Sequence, residues 1–193
     1  MDIIVKNLKK SYGDLLVLDS LNCRFRKGHF TAIVGPSGIG KTSLLKILMG
    51  LDKDYEGEVL NSNYGKISAV FQENRLLENF SIRENVNLVL DRKLAEEDLA
   101  YYLGRLGLDV DPGQKVRELS GGMKRRVAIL RALVVDCPLY IFDEPFKDMD
   151  QASHRQVLDL VQEKLASKTL IFTSHSPLDL EYLRPDLVDL GSA

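Results

Sequence analysis

Eight consecutive residues, Gly35-Pro36-Ser37-Gly38-Ile39-Gly40-Lys41-Thr42, fit the pattern G-x-x-x-x-G-K-[ST]. Each part of that spacing serves the holding of a polyphosphate. The glycines let the backbone turn tightly, so that successive N–H groups converge on one concavity able to bind phosphate oxygens. The helix that follows aims its positive end at the same place. Lys41 can reach β- and γ-phosphates, the Thr42 hydroxyl can ligate Mg²⁺, and Ser43 continues the cradle into the helix. The bare pattern arises by chance in on the order of one chain in a hundred. A buried run before it, Phe30–Val34, and an amphipathic run after it, Lys41–Met49, supply the context that separates a working loop from a glycine-rich turn.

A second constellation is Asp143-Glu144-Pro145, at the end of the apolar run Leu139–Phe142. A carboxylate at the C-terminal end of a buried strand lies in the crevice where α/β sheets bind ligands. There Asp143 would hold Mg²⁺, and Glu144 would polarise an attacking water as general base. Acids ending a strand on the surface are the ordinary alternative, which this pair alone leaves open. With the phosphate loop, it indicates a P-loop nucleoside triphosphatase. A third segment, Leu119-Ser120-Gly121-Gly122-Met123, places a serine and two glycines at the opening of a helix. Exposed N–H groups there would form a second anion site, or Ser120 is simply a helix cap.

These residues need a scaffold, and the periodicity supplies one. Short β segments are expected at Ile3–Val5, Leu15–Leu18 and Leu21–Arg26, followed by buried strands at Phe30–Val34, Ile67–Phe71, Leu139–Phe142 and Thr169–Thr173, with Leu187–Leu190 adding an edge. Helical spacing is expected in Lys41–Met49, closed by Gly50, and in Gln151–Leu165. From about Glu73 to Val135 the pattern is helical, with a capping box formed by Ser81 and Glu84. Buried strands alternating with helices predict an α/β fold with a mostly parallel sheet and an inserted helical subdomain. The division expected is a core of 1–72 and 136–193 around helices at 73–135.

The order of these motifs along nearly the whole chain resembles the ATP-binding subunits of ABC transporters. The resemblance implies a P-loop NTPase (RecA-like) core with a mostly parallel sheet, an N-terminal antiparallel β subdomain and an inserted helical subdomain, and it implies roles for further residues. Tyr12 matches the aromatic that stacks on adenine. Gln72 matches the glutamine that senses Mg²⁺ and water, Asp150 the D-loop aspartate, and His175 the switch histidine that contacts the γ-phosphate. Ser120, Gly121 and Gly122 match the signature sequence, which in this family faces the ATP of a second ATPase subunit in a head-to-tail sandwich dimer. Transmembrane permease subunits are the implied partners, joined in import systems by an extracytoplasmic binding protein, and the implied location is cytoplasmic, on the inner face of the cell membrane. The stretch Phe71–Leu77 looks like importers of the nitrate, sulfonate and taurine type. Departures are Met123 for the usual glutamine and Lys147-Asp148-Met149-Asp150 for the usual S-A-L-D.

Composition narrows the alternatives. Lys plus Arg number 26 against 28 Asp plus Glu, a net charge of -2, so bulk charge attracts no nucleic acid. A soluble ABC-type ATPase acting on nucleic acid or ribosomes is the competing reading. Such proteins carry inserted coiled coils, zinc modules or paired domains, and this sequence has no such insert. The chain ends soon after His175, so the C-terminal regulatory domain of some importer subunits is expected to be absent. Lys124-Arg125-Arg126 reads as a solvated helix face, Cys23 as a reduced core thiol, and His29 and His154 as surface or loop residues.

Overall fold

Alternation along Ile3–Tyr12 (β1) and Leu15–Phe25 (β2) buries Ile3, Val5, Leu8, Leu18, Leu21 and Phe25 on one face. The two strands pair antiparallel from Ile3 opposite Phe25 to Tyr12 opposite Leu15. The two segments expected after residue 14 are therefore one strand. Its alternation breaks because Ser20 sits at φ 48°, beside a register shift. The computed structural model describes residues 1–191. The chain continues through Phe30–Val34 (β3), Lys41–Leu48 (α1), Glu56–Leu60 (β4) and Ile67–Val70 (β5). Three helices follow, Ile82–Asn87 (α2), Glu96–Arg105 (α3) and Gly121–Leu133 (α4), with a 3₁₀ turn at Val116–Glu118. Leu139–Phe142 (β6), Gln151–Leu165 (α5), Thr169–Thr173 (β7), Pro177–Leu183 (α6) and Asp186–Asp189 (β8) complete it.

A three-stranded antiparallel sheet has the order β2-β1-β4, and a five-stranded parallel sheet the order β5-β6-β7-β3-β8. β8 is the expected edge strand. The short strand β4, which pairs with β1, and the helix α6 were not anticipated from the sequence. The parallel sheet is apolar on both faces. Tyr140, Phe142, Leu170 and Phe172 pack towards α4 and α5, while Leu139, Ile141 and Ile171 pack towards α1 and the antiparallel sheet. Such two-sided burial is why these strands read as continuous apolar runs.

The register positions the chemistry. Phe142 lies opposite Phe172, and Ile33 opposite Thr173, so β6, β7 and β3 finish level with one another. Whatever follows those three strands must lie side by side at one sheet edge. Among the described residues no helix is long and apolar enough to cross a membrane.

The expected capping box opens α2. Glu84 N–H donates to Ser81 Oγ at 3.2 Å, and Ser81 N–H donates to Glu84 Oε2 at 2.7 Å. The same backbone donor holds the Glu84 carboxyl below its ordinary range. Ser81→Ala removes one half of the box. It is expected to lower the unfolding free energy by about 1 kcal/mol, read from urea denaturation, and an unchanged midpoint would show that the cap contributes nothing.

Candidate functional site

The loop after β3 is pressed against β2. Gly40 adopts φ 110°, and a Cβ there would stand 2.7 Å from Leu18 Cδ2 and 2.8 Å from Val17 Cγ1. Only glycine fits both that backbone and that space. The result is a tight cradle whose outer residues, Pro36, Ser37 and Gly38, are exposed, while Lys41 is buried at its base. Lys41 Nζ donates to the carbonyls of Gly35 and Pro36, both at 2.8 Å. Burial pushes its ammonium pKa down, and the carboxylates of Glu144 and Asp143 oppose that.

Asp143, at the end of β6, is buried and fully engaged. Oδ2 accepts from Thr42 Oγ1 at 2.7 Å, and Oδ1 accepts from Thr173 Oγ1 at 2.7 Å. One carboxylate thus joins the phosphate loop to the strand that precedes His175. Thr42 and Asp143 form an all-oxygen donor pair, the hard set that Mg²⁺ takes together with substrate phosphates. Among the described residues no cluster of three or more His, Cys, Asp or Glu side chains could cage a metal. The oxygen donors of Thr42 and Asp143 would fit Mg²⁺ as part of its ligand set.

Glu144 stands between two cavities. One of 260 Å³ is lined by Ser37, Thr173 and His175, and one of 140 Å³ by Gln72, Asn74 and Gly121. His175 Nε2 is 3.6 Å from Glu144 Oε1, and Lys147 Nζ is 3.3 Å from Oε2. Glu144 Oε2 is buried and receives no well-directed hydrogen bond, its nearest cation being that Lys147 ammonium. The Glu144 backbone lies at φ 46°, a left-handed conformation that a residue with a Cβ adopts only when its surroundings enforce it.

Arg125 supplies that enforcement, and nothing in its spacing announces it. The residue is buried, with 5% exposure. Nη2 donates to the carbonyls of Asp143 at 2.7 Å and Glu144 at 2.6 Å, and Nε donates to that of Pro145 at 3.0 Å. Nη1 donates to the Phe71 carbonyl, to that of Gln72 at 3.3 Å and to Asn74 Oδ1 at 3.3 Å. The solvated-face expectation for Lys124-Arg125-Arg126 is therefore corrected. Lys124 pairs with Glu78, and Arg126 donates to the carbonyls of Leu106 and Gly107. Helical periodicity marks apolar positions, and a basic residue buried by its hydrogen bonds leaves no such mark. His154 is likewise corrected: it lies within α5, largely buried, with Nε2 2.6 Å from Asp179 Oδ1.

The remaining candidates divide by position. Tyr12 is exposed beside α1, its hydroxyl 3.3 Å from Ser43 Oγ and donating to Asp52 at 3.2 Å. Ser120 is exposed at the start of α4, where its Oγ accepts from Met123 N–H at 3.3 Å. Asp150 caps α5 by accepting from Ser153 N–H at 2.9 Å. Within one chain Ser120 and Asp150 are caps. Cys23 is half-buried, and burial pushes its thiol up to about 12, so it stays protonated.

The model of the family described as ABC transporter matches residues 18–147. An aliphatic sulfonates import ATP-binding protein of Bacillus cereus, SsuB, is 35% identical over 98% of this chain and 79% of its own length. The chain belongs to the ABC transporter family. A tungstate uptake system ATP-binding protein, TupC of Peptoclostridium acidaminophilum, is 34% identical over 100% of this chain and 95% of its own. A solved Pyrococcus furiosus structure assigned to the ABC transporter ATP-binding proteins superposes with a TM-score of 0.85 at 27% identity, covering 100% of this chain and 98% of that one. As an ABC ATP-binding subunit, the protein binds ATP and hydrolyses it to power transport.

Arg125→Ala leaves five carbonyls short of a donor, those of Asp143 and Pro145 in buried contacts and those of Phe71, Gln72 and Glu144 in part-buried ones. It is expected to lower the unfolding free energy by about 3 kcal/mol or more, with Arg125→Lys recovering only part, both followed by circular dichroism in urea. A wild-type midpoint for the alanine variant would remove Arg125 from the framework of the site.

Proposed function

We propose that ATP sits in the Gly35–Thr42 loop, that Glu144 activates the attacking water, and that the site is completed by the signature segment of a second ATPase subunit, matching Ser120, Gly121 and Gly122 here. What supports this most is the setting of Glu144 at the level of Lys41, Thr42 and Asp143: Oε2 is buried with no well-directed hydrogen bond, Lys147 Nζ lies 3.3 Å from it, and His175 Nε2 lies 3.6 Å from Oε1. Backbone donors of residues 35–42 and Lys41 bind the triphosphate, and Tyr12 stacks on the base. Thr42, Asp143 and Gln72 hold Mg²⁺, which when bound neutralises phosphate charge. His175 orients the γ-phosphate, and Gln72 senses the water. From the facing chain, the exposed amide groups at the α4 terminus approach the same phosphate, and Asp150 lies at the seam. ATP then holds the pair together and hydrolysis releases it, a difference in binding that can drive a partner's rearrangement.

The partners proposed are transmembrane permease subunits, which contact the helical subdomain of residues 73–135 near the Gln72 loop. The relatives named for sulfonate import and tungstate uptake support import, and with it an extracytoplasmic binding protein. The location that follows is cytoplasmic, peripheral on the inner face of the membrane. Co-purification from membranes, with ATPase activity compared in the presence and absence of the accompanying permease, tests the partnership.

Glu144→Gln is expected to bind ATP, lose about a hundredfold or more in turnover, and elute as a dimer when ATP is present. Wild-type turnover in that variant would take the base role from Glu144. Lys41→Ala is expected to lose nucleotide affinity in calorimetry, and retained ATP binding would contradict the phosphate-loop assignment.

A further inference from the structure

His154 touches both of the loops on which hydrolysis is proposed to depend. On one side its ring stacks on Phe146, centroid to centroid 5.7 Å at 26°. Phe146 lies two residues after Glu144 and packs edge-on against Phe172, at 6.1 Å and 69°. On the other side Nε2 meets Asp179 Oδ1 at 2.6 Å. The other oxygen of that carboxylate accepts from Ser174 Oγ at 2.5 Å, and Ser174 Oγ accepts in turn from Ser176 N–H at 2.9 Å. The residue between Ser174 and Ser176 is His175.

The Asp179 side chain has 3% exposure, so its charge needs every donor within reach. Ser174 satisfies one oxygen and His154 the other. Without His154, Oδ1 loses its donor. The carboxylate then turns towards the 260 Å³ cavity that it lines, or draws water into it, and Ser174 loses a fixed acceptor. Phe146 loses its stacking partner through the same change. Both ends of the 3.6 Å approach between His175 and Glu144 are therefore loosened at once.

We infer that His154 is a positioning residue, whose imidazole sets the separation of the Glu144 and His175 loops by stacking on Phe146 and donating to Asp179. His154 lies on the first turns of α5, the helix that Asp150 caps. The two loops are thus fixed to the element that continues the Lys147–Asp150 segment. The inference rests on the roles proposed for Glu144 and His175.

The test compares His154→Leu, which removes the donor, with His154→Gln, which replaces it at the position of Nε2. ATP turnover, nucleotide affinity and melting temperature are measured on the full chain, with Glu144→Gln as control. Because a misplacement of about 1 Å costs up to about a hundredfold, His154→Leu is expected to lose about tenfold in kcat with nucleotide Kd within about twofold. His154→Gln is expected to recover most of that loss at a similar melting temperature. Wild-type turnover in His154→Leu, a loss confined to Kd, or a glutamine variant as slow as leucine would overturn the inference. If Glu144→Gln is inactive while His154→Leu is normal, only the positioning role fails. If Glu144→Gln turns over normally, the site assignment fails and this inference with it.

Discussion

A carboxylate buried at the end of a strand needs hydrogen-bond donors, and Asp143 finds them in two different segments, Thr42 of the phosphate loop and Thr173 of β7. That pair of 2.7 Å contacts ties together three pieces of chain that are far apart in sequence. It is possible only because β6, β7 and β3 are parallel neighbours ending at the same level. Thr173 contributes twice, since its hydroxyl also accepts from Glu144 N–H at 2.7 Å. The left-handed Glu144 backbone follows from that hold and from the two Arg125 bonds to the flanking carbonyls. The geometry of the candidate site is thus a consequence of strand register, with the side chains filling in what the register permits.

The elements that sequence patterns made legible are those whose burial is two-sided or whose caps carry a chemical mark. β7 and α5 lie where continuous apolar residues and a period near 3.6 place them, and Ser81 with Glu84 announces α2. The strand β4 escaped because Glu-Gly-Glu heads it and little of it is buried. Its existence depends on pairing with β1, which no local signal encodes. The helix α6 escaped because seven residues beginning with proline look like a loop. The β2 strand was divided because a single residue in a left-handed conformation shifts which side chains face inward.

The site was legible to the same extent and for related reasons. Motif residues declare themselves because their chemistry demands types at fixed spacings, as in residues 35–42. Arg125 and His154 have no such spacing. Their partners are backbone carbonyls, a carboxylate and an aromatic ring brought close by the tertiary fold. A charge that is buried because the fold surrounds it with acceptors looks, in one dimension, the same as a charge in water. Residues that hold a site in place are therefore harder to read than those that belong to its motifs.

The position of Lys41 bears on what holds the cradle in shape. Its ammonium group is directed inward, to the carbonyls of Gly35 and Pro36. Those two 2.8 Å bonds fold the side chain back on the turn that precedes it, so that the residue closes the loop from below. In the binding mode proposed for phosphate, the ammonium would exchange two carbonyl neighbours for charged oxygens. The same side chain is thus an internal brace of the turn that carries it.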